Sequence, residues 1–128
     1  MAVALNHTIV WCTQKAVSAR FVTELFGLAD PEPFGPFFVV DLANGVSMDY
    51  HECAGPIASQ HYAFLITEDE FDTIFARIRA QELDFWADPA CRALGKINYS
   101  DGGRGVYFND PDGHLLEIIT RPYASGTA

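Results

Sequence analysis

Positive charge is what this sequence has least of. Eight Lys and Arg face 17 Asp and Glu, a formal net charge of −9 at pH 7. That balance argues against nucleic acid or an anionic membrane as partner, because both recruit basic surfaces. A small-molecule substrate or another protein is the expected partner. Cysteine is scarce as well. Cys12, Cys53 and Cys91 are odd in number and widely spaced, with no Cys-x-x-Cys pair, so neither a disulfide framework nor a thiolate metal site is indicated. No apolar run approaches the roughly 20 residues of a membrane span. The N-terminus lacks the basic-then-apolar pattern of a signal peptide, and a cytoplasmic protein is the expectation. What the chain does have is apolar content: 49% of 128 residues, right for one domain with a core and short for two ordinary ones.

Taken in order, Leu5 to Trp11 reads as a strand with Leu5, His7, Ile9 and Trp11 on one face. Thr13 is the expected N-cap of a helix whose Val17, Phe21, Val22, Leu25 and Phe26 recur at three- and four-residue steps until Gly27 stops it. Ala29 to Pro36 is proline- and glycine-rich and reads as a loop. Phe37 to Leu42 and Val46 to His51 are strands around the hairpin dipeptide Asn44-Gly45, the second placing Ser47, Asp49 and His51 on one face. Gln60 to Ile66 is a strand. Thr67 to Glu70 is a capping box opening a helix striped by Phe71, Ile74, Phe75 and Ile78. Leu83 to Ala87 is a short strand, and Asp88 to Gly103 is the longest irregular segment. The last hairpin joins Val106–Phe108 to Leu115–Thr120 through Asp110-Pro111-Asp112-Gly113. Leu115, Glu117 and Ile119 share one face of its second strand, Leu116 and Ile118 the other, so Glu117 is the one acid on a strand apolar on both sides. A buried carboxylate is costly unless paired or coordinated to a metal. An Arg or backbone N–H groups would satisfy it equally well.

A repeat bears on that choice. Shifted by 54 residues, His7, Thr13, Val17 and Phe21 fall on His61, Thr67, Phe71 and Phe75; shifted by 68, Asn44-Gly45 falls on Asp112-Gly113 and Asp49 on Glu117. Each half thus supplies one histidine on its first strand and one carboxylate on its last. If the halves pack around a pseudo-twofold axis, His7, Asp49, His61 and Glu117 converge into a metal site. Imidazole and carboxylate donors suit Fe(II), Mn(II), Ni(II), Co(II) or Zn(II) without choosing among them. Trp11, Tyr50, Trp86, Asn98, Arg104 and Tyr107 are candidates for substrate contact, against a plain reading as packing or loop residues. His51, on the face of Asp49, is a candidate acid or base beside it, and Arg104 a candidate for holding a substrate anion. His114 reads as a surface residue after the turn, and Asp69 and Asp72 as a solvated helix face.

Leu5-Asn6-His7, Gln60-His61-Tyr62-Ala63-Phe64-Leu65 and the run Val106 to Glu117 together resemble the vicinal oxygen chelate superfamily, the glyoxalase, bleomycin-resistance and extradiol-dioxygenase group. The resemblance covers nearly the whole chain. It implies an α+β fold in which two βαβββ modules form one eight-stranded, partly open barrel-like sheet around a metal and ligand cleft. The single domain 1–128 would divide into module one at about 1–55, module two at about 56–123 and a tail at 124–128. It further implies His7, His61 and Glu117 as metal ligands, with Asp49 where glyoxalase-like members carry a fourth. Asp49 is a methylene shorter than the usual glutamate there, leaving direct coordination, coordination through water and a catalytic role as base all open. A homodimer, with the site completed across its interface, is implied too.

The function expected is that of a metal-dependent enzyme binding a small oxygenated organic molecule through its oxygens, with lyase, isomerase or ring-cleaving dioxygenase chemistry. A non-catalytic binder of the bleomycin-resistance type is the alternative. A thiol transferase of the fosfomycin-resistance type comes third, on the likeness of Lys96 to Arg104 to the loop before the same hairpin in those enzymes.

Overall fold

Apolar residues at every second strand position, and at three- and four-residue steps in the helices, give each element one face that has to be covered. The computed structural model describes residues 2–125 of the chain, and the tail expected at 124–128 extends beyond them. The fold is α+β and consists of two βαβββ modules, whose eight strands form two four-stranded mixed sheets. Two compact units, Met1–Ala58 and Ser59–Ala128, hold one module each.

In the first unit β1 (His7–Cys12) is followed by α1 (Lys15–Phe26), β2 (Glu32–Phe34), β3 (Phe37–Asp41) and β4 (Ser47–Glu52), with sheet order β1-β4-β3-β2. β1 runs parallel to β4 and the other pairings are antiparallel. Val10, Cys12, Val40, Met48 and Tyr50 are buried with Ala19, Val22 and Leu25 of α1, which packs on β3 and β4. The helix begins one residue later than the sequence pattern suggests. Gln14, not Thr13, is its N-cap, and the first N–H is satisfied from β4, where Glu52 accepts from Lys15 at 3.2 Å. Gly27 ends it in the left-handed conformation, φ 69°, which glycine adopts without a Cβ penalty. The proline-rich segment expected to be a loop contains β2, an edge strand where Pro33 costs no ladder bond to a further neighbour.

The second unit repeats the order with β5 (His61–Leu65), α2 (Glu68–Ala80), β6 (Phe85–Trp86), β7 (Gly105–Asn109) and β8 (Leu115–Ile119), in sheet order β5-β8-β7-β6. The capping box is formed: Thr67 accepts from the Glu70 N–H at 3.1 Å and Glu70 from the Thr67 N–H at 2.8 Å. Phe71, Ile74 and Ile78 of α2 are buried, as are Val106, Phe108, Leu116 and Ile118 of the strands. Each such side chain contributes roughly 1.5–3 kcal/mol. Phe75 meets Phe85 edge-on at 5.0 Å, tying the helix to β6.

The β7–β8 turn departs from expectation at His114. It is 1% exposed rather than a surface residue. Strand alternation explains this, since His114 shares parity with the buried Leu116 and Ile118. Its Nδ1 accepts the Gln60 N–H at 3.0 Å, and its ring meets Tyr62 edge-on. Asp110, also buried, accepts the N–H groups of Asp112 and His114 at 2.9 Å each, and burial holds its carboxyl above the ordinary range. Among the described residues no helix is long and apolar enough to cross a membrane.

His114→Ala strands the Gln60 N–H and opens a void, so it is expected to cost about 3 kcal/mol of stability. Urea unfolding of that variant beside the parent protein measures it.

Candidate metal centre

Strand register sorts the candidate residues by face. In the first sheet His7 pairs with Ser47, Ile9 with Asp49 and Trp11 with His51, while β3 sets Val39 opposite Asp49 and Asp41 opposite Ser47. Side chains opposite each other in a ladder project to the same side. Asp49 therefore stands among His7, Ile9, Val39, Asp41 and Ser47, on the sheet face turned away from α1. These residues line a cleft of about 490 Å³ together with Asn6, Glu32, Pro33, Phe34 and Phe37.

Two contacts in this cleft prepare its polar groups. His7 Nδ1 lies 2.7 Å from Asn6 Oδ1 and donates to it, which leaves Nε2 as the ring's lone-pair nitrogen. The Ser47 hydroxyl donates to Asp49 Oδ1 at 2.8 Å, fixing that carboxylate from two residues away on the same face. Three carboxylates, Glu32, Asp41 and Asp49, line the cleft, and among the described residues no Lys or Arg does.

Of the remaining candidates in this unit, Trp11 and His51 share that face beyond the cleft lining. His51 is held edge-on by Trp11 at 5.0 Å and Phe37 at 5.2 Å, with Nδ1 donating to the Glu52 carbonyl. Tyr50 is on the opposite face and 1% exposed. It is a core residue packed on the α1 side, where alternation from Asp49 puts it, and not a substrate contact.

In the second sheet one row runs Ala63, Glu117, Tyr107, Trp86 across four strands. Glu117 is 1% exposed. His61 enters this row from the end of β5. Its Nδ1 donates to the Leu115 carbonyl at 2.9 Å, and its Nε2 lies 3.1 Å from Glu117 Oε1. Tyr107 stacks on the His61 ring with centroids 5.8 Å apart. The other carboxylate oxygen, Oε2, accepts the Tyr123 hydroxyl, and the Tyr123 oxygen in turn lies 2.8 Å from the Tyr107 hydroxyl. Burial first, then the hydrogen-bonded partners, raises the Tyr123 phenol pKa well above its ordinary value, and burial raises that of Tyr107.

With its Nδ1 proton given to Leu115, His61 meets the Glu117 carboxylate through Nε2 at 3.1 Å, an ion pair where the ring is protonated and two neighbouring donor atoms for a metal ion where it is not. An imidazole nitrogen and a carboxylate oxygen side by side are donors that would suit a divalent transition metal. Among the described residues the Glu117 carboxylate is met by the Tyr123 hydroxyl and the His61 imidazole, with neither an arginine nor a backbone N–H among its partners. His61 and Glu117 are thus in contact within one unit, and His7 and Asp49 line one cleft within the other. Among the described residues no group of three His, Cys, Asp or Glu gathers.

Two loop candidates are occupied structurally. Asn98 donates to the Ala87 carbonyl at 2.8 Å and accepts the Ser100 N–H, stapling the long loop together. Arg104 binds Glu68 at 2.7 Å and Asp72 at 2.8 Å, and its guanidinium lies 4.4 Å from the Phe71 ring centroid. It anchors the start of β7 to α2, and Asp72 stays on the solvated helix face assigned to it. Trp86 and Tyr107 keep their places on the face of Glu117. Sequence reasoning did not find Tyr123, and it set Ser47 on the face of Asp49 without giving it a role. Tyr123 follows Pro122, outside any periodic pattern, whereas the spacing of Ser47 from Asp49 was a usable signal.

No family model matches the chain. Among solved structures, oxidase ChaP-H1 is 59% identical with a TM-score of 0.94, covering 96% of this chain and 99% of that one. Oxidase ChaP-H2 is 57% identical with a TM-score of 0.96, covering 98% and 99%. Among curated proteins, glutathione transferase FosA of Serratia marcescens is 28% identical over 124 residues, which is 92% of this chain and 81% of that protein.

Glu117→Gln keeps an acceptor for Tyr123 and removes the charge. It is expected to fold, with a melting temperature close to that of the parent, and to bind Mn(II) at least about 100-fold more weakly, beyond the loss usual for a residue one step from the ion. Calorimetric titration of chelator-treated protein gives the comparison.

Proposed function

We propose that this chain, which belongs to the vicinal oxygen chelate superfamily, is a metal-dependent oxidase acting on a small aromatic molecule with neighbouring oxygens. The observation carrying the metal is His61 Nε2 lying 3.1 Å from an oxygen of the buried Glu117 carboxylate. Sequence identity of 59% and 57% to two oxidases across nearly the whole chain supports the reaction class. In the second unit His61 and Glu117 are the proposed ligands; in the first, His7 is proposed as a ligand and Asp49 as a ligand or a base.

When bound, the metal supplies Lewis-acid contact to substrate oxygens and, in the case of Fe(II), a route for electrons to dioxygen. The chain's own residues supply the rest. Ile9, Phe34, Phe37 and Val39 give the cleft apolar and aromatic walls that match a planar ring. Asp49, oriented by the Ser47 hydroxyl, would accept a proton from a substrate hydroxyl. Three carboxylates without a facing cation disfavour an anionic substrate. This weighs against the thiol-transferase reading, which needs basic groups for a phosphonate, and Arg104 is already engaged by Glu68 and Asp72. Lyase, isomerase and pure binding readings keep the fold but leave the oxidase relatives unexplained. A homodimer is part of the proposal, supported by the exposed Ile9, Trp11 and Leu65 on β1 and β5.

Protein reconstituted anaerobically with Fe(II) is expected to consume dioxygen with catechols or related polyhydroxylated aromatics, and His61→Ala to lose at least about 100-fold of that rate. An oxygen electrode measures it, and oxygen-18 labelling separates peroxide release from incorporation into product. No uptake with any such aromatic, together with turnover of a hemithioacetal or of an epoxide with a thiol, would overturn the oxidase reading.

A further inference from the structure

We infer that Tyr123 is a positioning residue for Glu117, holding the carboxylate so that a single oxygen is presented towards His61. The inference rests on the metal reading above and adds to it a residue outside the two repeated modules' shared pattern.

Three observations carry it. First, Tyr123 is placed by its hydroxyl, not by its ring. The residue is 52% exposed, so apolar burial does little to hold it, yet the hydroxyl reaches past the end of β8 to Glu117 Oε2 and to the Tyr107 hydroxyl. Second, the backbone that returns it is locally strained. Past the end of β8 at Ile119, the Ser125 N–H bonds back to the Pro122 carbonyl, Arg121 donates to the Ser125 carbonyl, and Ala124 sits at φ 66°. A left-handed alanine is disfavoured and persists where surrounding contacts hold it. Third, the hydrogen bonds run in one direction. Glu117 accepts only, so the Tyr123 hydroxyl donates to it and accepts from Tyr107. Tyr107 also stacks on His61. One phenol chain therefore orients both proposed ligands of the second unit: Tyr107 against the imidazole and, through Tyr123, against the carboxylate.

The consequence is chemical. With Oε2 committed to Tyr123, Glu117 offers Oε1 alone beside His61 Nε2. A carboxylate that binds through one oxygen leaves a position open that a two-oxygen grip would fill, and an open position is what a chelating substrate needs.

The test uses Co(II), whose visible spectrum reports coordination number, on full-length protein freed of metal. Tyr123→Phe keeps the ring and deletes the hydroxyl. The expected result is affinity weaker by about 10-fold or more, with weaker visible absorption as Glu117 becomes free to grip through both oxygens. Tyr107→Phe leaves the Tyr123 bond to Glu117 in place and is expected to lose less. Thermal melts of both variants, and His61→Ala as a ligand-loss reference, accompany the titrations. Unchanged affinity and spectrum in Tyr123→Phe, with binding abolished in His61→Ala, would overturn this inference and leave the metal centre standing. No Co(II) binding by the parent protein would remove both. An intense visible charge-transfer band in the ferric protein, lost in Tyr123→Phe, would make Tyr123 a ligand and overturn the positioning role.

Discussion

A single helix serves each four-stranded sheet, and this one-sided cover governs where chemistry can sit. The covered face has to be apolar, and residues such as Val10, Met48, Tyr50, Leu116 and Ile118 meet that demand. Because strand side chains alternate strictly, every polar group of β4 and β8 that is kept off the helix is delivered to the other face, in register with its neighbours. Asp49 and Glu117 occupy equivalent places on the central strands of their sheets. Histidines at the starts of β1 and β5 join them from the flanking parallel strands. The sites are consequences of pleat and register before they are consequences of any loop.

The shortage of positive charge acts together with this geometry. The chain's few cations are largely spent on structure where they can be followed. Arg104 lies over Phe71 and binds two acids of α2, and Lys15 caps the Pro36 carbonyl and lies over Phe38. Among the described residues none lines the cleft of the first unit. Three carboxylates stand together there, and Glu117 in the other unit is met by a phenol and an imidazole. Both surroundings disfavour an anionic guest.

Much of this was legible in the sequence because it rests on periodicity. The period-two runs gave the strands, the capping box gave the start of α2, and the 54- and 68-residue offsets paired His7 with His61 and Asp49 with Glu117. The misses have physical reasons. The N-cap moved from Thr13 to Gln14 because a side chain from β4, distant in sequence, answers the first helical N–H. β2 was hidden because Pro33 argues against a strand everywhere except at an edge. Tyr50 and His114 were misjudged by residue type, when parity with Met48 and Leu116 already placed them on the covered face. Arg104 and Asn98 look like ligand-binding residues until their tertiary partners are known, and Tyr123 depends on a chain reversal that no local pattern announces.

The Asp110–His114 turn has a bearing on how the second unit reaches its structure at all. It is closed by side chains as well as backbone, with Asp110 gripping two N–H groups and His114 gripping Gln60 at the mouth of β5. Those contacts exist in one register of β7, β8 and β5 and in no other. A slip of one residue would exchange the faces of β8, turning Leu116 and Ile118 outward and pressing Glu117 against α2 without its phenol or imidazole. The same acid that equips the finished site therefore makes the neighbouring register unaffordable while the sheet is assembling, and the turn selects the register in which that acid is tolerated.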